Sequence, residues 1–361
     1  MVILILDIGT TTIKGLLVDK KSRRDISSGF VLNSQARFGE DVITRIDFAV
    51  KGAKNQETLR LAATGSINLL IKKLLQKTGL KQQDIKEAVI VCNTAMHHLF
   101  LGISAECLIR PPYKTSAKSE LVVSQKTSGI NINKNAQVII LPNIGGFVGS
   151  DALAFIIASG IYKSKSVKLG VDIGTNGEII LGSSDKILVT STAAGSAFET
   201  WYIKHGSDII DAAAHMLRKG LMDKTGRMKQ GEFVLSKKGA GKIRIKQADI
   251  RKMQLAKAAI YAGIKILMRQ LGVDKDNISG IFITGTFGNF INAESAIRTG
   301  LIPDVAPAKV KFMKNAPATG AKEYALSKST KERLTSILSR IKRIPMIRKD
   351  FQQTFADSMR F

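Results

Sequence analysis

An unbroken apolar run, Val2-Ile3-Leu4-Ile5-Leu6, meets the polar turn Asp7-Ile8-Gly9-Thr10-Thr11-Thr12. A second run, Ile13 to Val18, follows at once, interrupted only by Lys14 and Gly15. Short apolar runs bounded by turn residues read as buried strands, and two of them joined through one glycine turn read as a hairpin. The same order returns at mid-chain: Leu169-Gly170-Val171, then Asp172-Ile173-Gly174-Thr175-Asn176-Gly177-Glu178, then Ile179-Ile180-Leu181. The two aspartates lie 172 − 7 = 165 positions apart in a chain of 361 residues. Repetition on that scale predicts two related lobes, each opening with a β-hairpin.

Between the hairpins, period-3.6 segments alternate with short apolar strands. Leu59 to Thr78 carries Ile67, Leu70, Ile71, Leu74 and Leu75 on one face and Lys72, Lys73 and Lys77 outside, and Gly79 stops it. Strands are expected at Ala88–Cys92 and Val138–Leu141, the latter ended by Pro142-Asn143-Ile144-Gly145-Gly146. Helices are expected at Met96–Leu101, Asp151–Ser159, Asp208–Leu221 and Gln247–Gly272. Gly280 to Thr284 reads as a buried strand entering a glycine turn. After it comes a short helix capped by Asn292 and stopped by Gly300. Strand–helix alternation in two halves is an α/β pattern.

The hairpin turns also carry chemistry. Gly9 and Gly174 let successive backbone N–H groups approach an anion with no Cβ in the way. Thr10, Thr11 and Thr12 in one turn, and Thr175 and Asn176 in the other, add hydroxyl and amide donors beside Gly177. An anionic Asp7 or Asp172 does not hold phosphate itself; each suits Mg²⁺, directly or through its water shell, because hard cations take oxygen ligands. Glu178, following the second turn, suits either the orientation of attacking water or a solvent-exposed place on the strand. Gly285-Thr286-Phe287-Gly288-Asn289 would let backbone approach a flat base and its ribose. One such turn alone is weak evidence, whereas two in equivalent places predict a grip on ATP phosphates from both sides.

Composition narrows the class. The chain is 44% hydrophobic with mean hydropathy +0.06, enough to build a core in each lobe. No apolar run approaches the roughly 20 residues a spanning helix needs, and no secretory leader precedes the first strand, so a cytoplasmic protein is expected. Lys plus Arg number 55 against 29 Asp plus Glu, a net charge of +26. The basic residues are spread out, denser at Lys237–Lys252 and Lys322–Lys349, and are not interleaved with aromatics, which argues against nucleic acid as the partner. Two cysteines, Cys92 and Cys107, are too few for a cysteine-ligated iron–sulfur cluster in one chain.

The two hairpins and the Gly285–Asn289 segment resemble the phosphate-1, phosphate-2 and adenosine motifs of the actin, sugar-kinase and heat-shock-chaperone ATPases. A narrower resemblance covers nearly the whole chain. Phe38-Gly39-Glu40-Asp41-Val42-Ile43-Thr44-Arg45-Ile46, Asn93 to Leu99, Pro142 to Ala152, Ser191 to Glu199 and Gln254 to Ile260 resemble stretches of the reductive activators of corrinoid proteins. That resemblance implies a two-lobed actin-like ATPase fold, each lobe a mixed sheet flanked by helices, with Mg-ATP in the interlobe cleft. It also implies a corrinoid protein as partner, its cobalt(II) returned to cobalt(I). The chain opens on the phosphate-1 strand without a ferredoxin-like domain, so a separate iron–sulfur protein is expected to supply electrons. The segment Lys204–Asp208 is shorter than its family counterpart and lacks a cysteine.

The expected lobes are 1–165 and 166–326, followed by a basic helical tail over 327–361. In that tail Phe351, Phe355, Met359 and Phe361 share one apolar face. His97 and His98 are expected to be hydrogen-bonded structural residues. Lys14 suits either a phosphate contact or an outward charge, and Trp201 either a partner contact or a core cap. A homodimer stays open. Two other readings compete, a small-molecule kinase of the same superfamily and a nucleotide-regulated scaffold.

Overall fold

The computed structural model describes residues 1–111, 113–174, 176–195, 208–237, 241–285 and 291–361. The chain forms two compact units: Met1–Gly160 with Ala316–Ser339, and Ile161–Asn315 with Arg340–Phe361.

Unit 1 is built on a six-stranded sheet of order β3-β2-β1-β4-β6-β5. Its strands are β1 (Val2–Ile8), β2 (Thr12–Asp19), β3 (Asp25–Leu32), β4 (Ile85–Cys92), β5 (Leu121–Ser124) and β6 (Gln137–Ile140). The antiparallel meander β1-β2-β3 is extended by β4 and β6, parallel to β1. Every residue of β1 is buried, as a continuous apolar run in a central strand demands. The helix Ala53–Thr78 covers one face, with Leu70 and Leu74 seated on Gly15 and Gly29. It ends at Gly79, whose φ of 71° only glycine adopts cheaply.

The other face of unit 1 carries the helices Ser150–Ser159 and Ala316–Leu326, packed on each other. Gly320 makes this crossing close: a Cβ there would lie 1.8 Å from the carbonyl oxygen of Ala154. Gly320→Ala is expected to cost about 2–3 kcal/mol through forced separation of the two helices. The loss should appear as faster amide exchange in Ser150–Ser159; unchanged exchange there would show that the crossing opens without penalty.

Unit 2 repeats the plan. Its strands are β7 (Lys168–Ile173), β8 (Gly177–Gly182), β9 (Ile187–Thr192), β10 (Glu232–Lys237), β11 (Gly241–Lys246), β12 (Gly280–Thr284), β13 (Val310–Phe312) and β14 (Ile341–Arg343). The main sheet has the order β13-β12-β7-β8-β9-β14, and β10 and β11 form a separate ribbon. The meander β7-β8-β9 with parallel β12 and β13 matches β1-β2-β3 with β4 and β6, strand for strand. The long helix Gln247–Leu271 lies on this sheet, bringing Ile260 against Gly177 and Gly263 against Ile179.

These are two mixed sheets flanked by helices, the expected fold class. One element differs. Residues 327–361 do not form a continuous helical tail: the helix Lys328–Ser339 belongs to unit 1, and β14 then adds parallel to β9 in unit 2 before the helix Phe351–Asp357. The strand forms because the edge of β9 offers unpaired backbone, which outweighs the polar character of Ile341-Lys342-Arg343. Phe351 and Phe361 pack on the core of unit 2. Among the described residues, no helix is long and apolar enough to cross a membrane.

Candidate nucleotide site

In unit 1 the β1–β2 register pairs Asp7 with Lys14 and Ile8 with Ile13, leaving Gly9 to Thr12 as the turn. Gly9 N–H donates to the Thr12 carbonyl at 3.0 Å, and a Cβ at Gly9 would lie 2.7 Å from that oxygen. The turn's carbonyls are held from one side. Asn33 Nδ2 donates to Gly9 O at 3.0 Å, Arg45 Nη1 to Thr10 O at 2.6 Å, and Asn33 N–H to Thr11 O at 2.9 Å. In a trans peptide the N–H points opposite to its carbonyl. The Thr10 and Thr11 carbonyls are those of the peptides that carry the Thr11 and Thr12 N–H groups, so these groups face away from the Asn33–Arg45 side. Asn93 Nδ2 donates to the Thr10 hydroxyl at 3.0 Å, fixing that side chain too. Such an array of oriented amides suits an anion.

Asp7 sits at the end of β1, 8% exposed. Burial pushes its carboxyl above the ordinary value, and Lys14, with its Nζ 3.9 Å from Oδ2, partly opposes that. A desolvated carboxylate with one distant cation is well suited to a divalent metal or its water. Lys14 thus faces Asp7 rather than standing as an isolated outward charge.

In unit 2 the turn is one residue shorter. Ile173 pairs with Gly177, Gly174 N–H donates to Asn176 O at 3.1 Å, and Asp172 pairs directly with Glu178. The two carboxylates therefore occupy one face at the sheet end, where unit 1 has a carboxylate and an ammonium. Glu178 is buried, not an exposed strand residue, and accepts from Ser191 Oγ at 3.3 Å. Thr284, the last residue of β12, lies in register with Asp172. Gly285 then turns with φ of 98°, close enough that a Cβ would meet Ile173 O at 2.3 Å and Asp172 Oδ1 at 2.7 Å. The segment that starts at Gly285 thus begins directly against the end of β7. Thr175, Thr286, Phe287, Gly288 and Asn289 lie outside the described residues, as do Trp201 and 204–207. Beyond that segment, Asn292 caps the helix Ala293–Arg298 by accepting from Ser295 N–H at 3.1 Å. A cavity of about 410 Å³ lies there, lined by Ala212, His215, Phe233, Leu235, Asn292 and Arg298.

His98 is buried, bonded to Ser104 O at 2.7 Å and Thr115 Oγ1 at 2.8 Å; His97 is buried against Asn143 at 2.9 Å and held near pKa 4 by burial. Both are buried and hydrogen-bonded, as expected. Cys92 is buried at the end of β4, and Cys107 is partly exposed.

The long helix of unit 2 carries a buried cation, Lys257. Its Nζ donates to Arg360 O and lies 5.2 Å from the centre of the Phe361 ring, while Gln254 Nε2 holds Met359 O at 2.9 Å. Burial lowers the Lys257 pKa from 10.5 to about 8. The folded state then binds fewer protons than the unfolded chain between these values, so the burial penalty present below pH 8 is relieved as pH rises towards 10.5. Relative to Lys257→Met, the parent should gain stability across that window, on the order of 3 kcal/mol in full. Parallel pH–stability curves for the two would place the amine in a solvated site.

Comparison with known proteins identifies the family. The family model described as the RACo middle region matches residues 3–164, and that described as the C-terminal domain of RACo, the ASKHA domain, matches 166–208 and 205–361. The chain belongs to the RACo family. Among its relatives, the corrinoid activation enzyme RamQ of Eubacterium limosum is 32% identical over 379 aligned residues, covering 89% of this chain and 64% of RamQ. The [Co(II) methylated amine-specific corrinoid protein] reductase of Methanosarcina barkeri is 22% identical, covering 93% of this chain and 72% of that protein. A solved structure of a reductive activator for corrinoid, iron–sulfur protein superposes with a TM-score of 0.91 at 29% identity. It covers all of this chain and 66% of that one. The chain thus spans about two-thirds of the length of these relatives.

Three residues that brace the first turn were not singled out from the sequence. Asn33 and Asn93 follow strands and cap the next helical turn, accepting from Gln35 N–H and Met96 N–H. A capping asparagine directly after a strand that neighbours the glycine turn was the available signal. Arg45 reads as one charge on an amphipathic helix; no sequence signal marks it as buried.

Proposed function

We propose that this chain is the ATP-hydrolysing part of a corrinoid-protein activation system. The observation that carries the reading is the repeated hairpin, with a carboxylate at its strand end in both units, in a chain of the RACo family. Asp7 and Asp172 would hold Mg²⁺ or its water shell. Gly9 to Thr12 and Gly174 to Gly177 would direct amides and hydroxyls at phosphate oxygens, and the segment starting at Gly285 would take the nucleoside. The fit rests on the desolvated Asp7 carboxylate, the turn that a Cβ at Gly9 would close, and the tight approach of Gly285 to Asp172. Magnesium bound with ATP supplies positive charge against the charge developing on the phosphoryl group. Glu178, steadied by Ser191, orients water for attack. The activity served would be a one-electron step in which a separate reduced iron–sulfur protein is oxidised and a cobalt(II) corrinoid protein is reduced to cobalt(I).

The test follows the corrinoid absorption spectrum with ATP, donor and this chain omitted in turn. Reduction is expected only when all three are present. Equal reduction without this chain would remove the activator reading, and phosphorylation of a small alcohol or carboxylate in the same mixture would replace it with a kinase.

A further inference from the structure

Arg45 is fully buried, among the largest side chains wholly withdrawn from solvent. Its guanidinium donates through Nε to Gly39 O at 2.7 Å and through Nη1 to Thr10 O at 2.6 Å, with Met96 Sδ 3.7 Å from Nη1. Nη2 is buried and has no hydrogen-bond partner. Among the described residues no carboxylate is within ion-pair distance of it. Asp41, at the start of its own helix, acts only from a distance and does not prevent burial from lowering the pKa to about 10. A buried charge is ordinarily paired, because leaving it uncompensated costs several kcal/mol. Two backbone carbonyls satisfy donors but do not neutralise a cation.

One of those carbonyls belongs to the turn itself. The Thr10 peptide is clamped by Arg45, and its N–H side faces the other way, where the candidate site lies. We propose that Arg45 is a positioning residue for the nucleotide's phosphates. It sets the Thr10–Thr11 peptide and places a full positive charge behind it, with the polyphosphate as counter-ion. This rests on the ATP reading above. It explains why a guanidinium, rather than a neutral donor such as Asn33, is buried at this one place: low local dielectric lets the charge act across the turn with little screening. The helix Val42–Val50 delivers it, anchored by the reciprocal Asp41–Thr44 capping box.

The discriminating comparison is between Arg45→Gln, which keeps a donor and removes the charge, and Arg45→Lys, which keeps the charge with fewer donors. Binding of ATP, ADP and adenosine to each protein is measured by calorimetry, without reference to turnover. Arg45→Gln is expected to weaken ATP and ADP by about tenfold to a hundredfold while adenosine stays within about twofold; Arg45→Lys should recover most of that loss. A merely structural arginine would give parallel losses for ATP and adenosine, or a Lys variant no better than Gln, and either result would overturn the assignment. If Arg45→Gln does not fold, Arg45→Met takes its place in the same comparison: an ATP-over-adenosine preference lowered about tenfold or more in that neutral variant supports the proposal, and a smaller fall overturns it. Parent protein that binds no adenine nucleotide would instead sink the ATP reading, a result distinct from parent-like binding by the variants.

Discussion

Asp7→Asn and Asp172→Asn are each expected to slow ATP hydrolysis by about a hundredfold or more, the usual consequence of losing one well-placed charge from a phosphoryl-transfer site. The Asp7 substitution makes the sharper test because its effect on stability has the opposite sign. Its carboxyl is buried and held above the ordinary value of 3.8. The folded state therefore binds this proton more tightly than the unfolded chain, and the ionised group subtracts stability as pH rises through the folded pKa. The amide occupies the same space without the charge. At neutral pH the variant should unfold at the same temperature as the parent or a higher one while turnover collapses. Melting by circular dichroism and a phosphate-release assay on the same preparation separate the two effects. Parent-like turnover in a folded Asp7→Asn protein would remove Asp7 from the site.

Gly285→Ala is expected to have the next largest effect, on both binding and stability. The residue has φ of 98°, outside the range other residues adopt easily, and its Cβ would come within 2.3 Å of Ile173 O and 2.7 Å of Asp172 Oδ1. The conformation alone costs an alanine about 1–3 kcal/mol, and the overlap moves the end of β7 and the Asp172 carboxylate with it. On the proposed site, nucleotide affinity should fall more than about tenfold, since the segment assigned to the nucleoside meets β7 at this point. Gly65 is the control: it lies exposed within the helix Ala53–Thr78 with nothing within 4 Å of its Cβ. There alanine should stabilise by up to about 1 kcal/mol without touching nucleotide binding. Unchanged affinity in Gly285→Ala would move the nucleoside away from this turn.

The hairpins were legible because their physics is local: a fully buried strand announces itself as an apolar run, and a turn with glycine and threonines as a break. The helices Ala53–Thr78 and Gln247–Leu271 were legible for the same reason, the first from Leu59 to its stop at Gly79 and the second to within one residue of its end. What sits opposite each aspartate was less legible. The turns differ by one residue, and that single step puts Lys14 across from Asp7 but Glu178 across from Asp172. A one-residue change of register would put Ile13 across from Asp7, or Ile179 across from Asp172, and motif spacing alone does not settle register. β14 escaped notice because Ile341-Lys342-Arg343 has neither length nor apolar alternation; it is a strand only because β9 has an open edge. Arg45 escaped for the complementary reason, since a side chain's burial belongs to the elements packed around it rather than to its own helix.

The way the backbone is shared between the units has a consequence for synthesis. The helix Ala316–Leu326, with Gly320 pressed onto Ala154, completes unit 1, yet the ribosome delivers it only after the whole of Ile161–Asn315. At about 5–20 residues per second, the groove along Ser150–Ser159 stays uncovered for roughly ten to thirty seconds on each nascent chain. Ala152, Leu153, Phe155, Ile156 and Ile157, all buried in the finished protein, line that helix. Nascent chains stalled before Ala316 should therefore engage chaperones that read apolar segments, and chains stalled after Leu326 should release them.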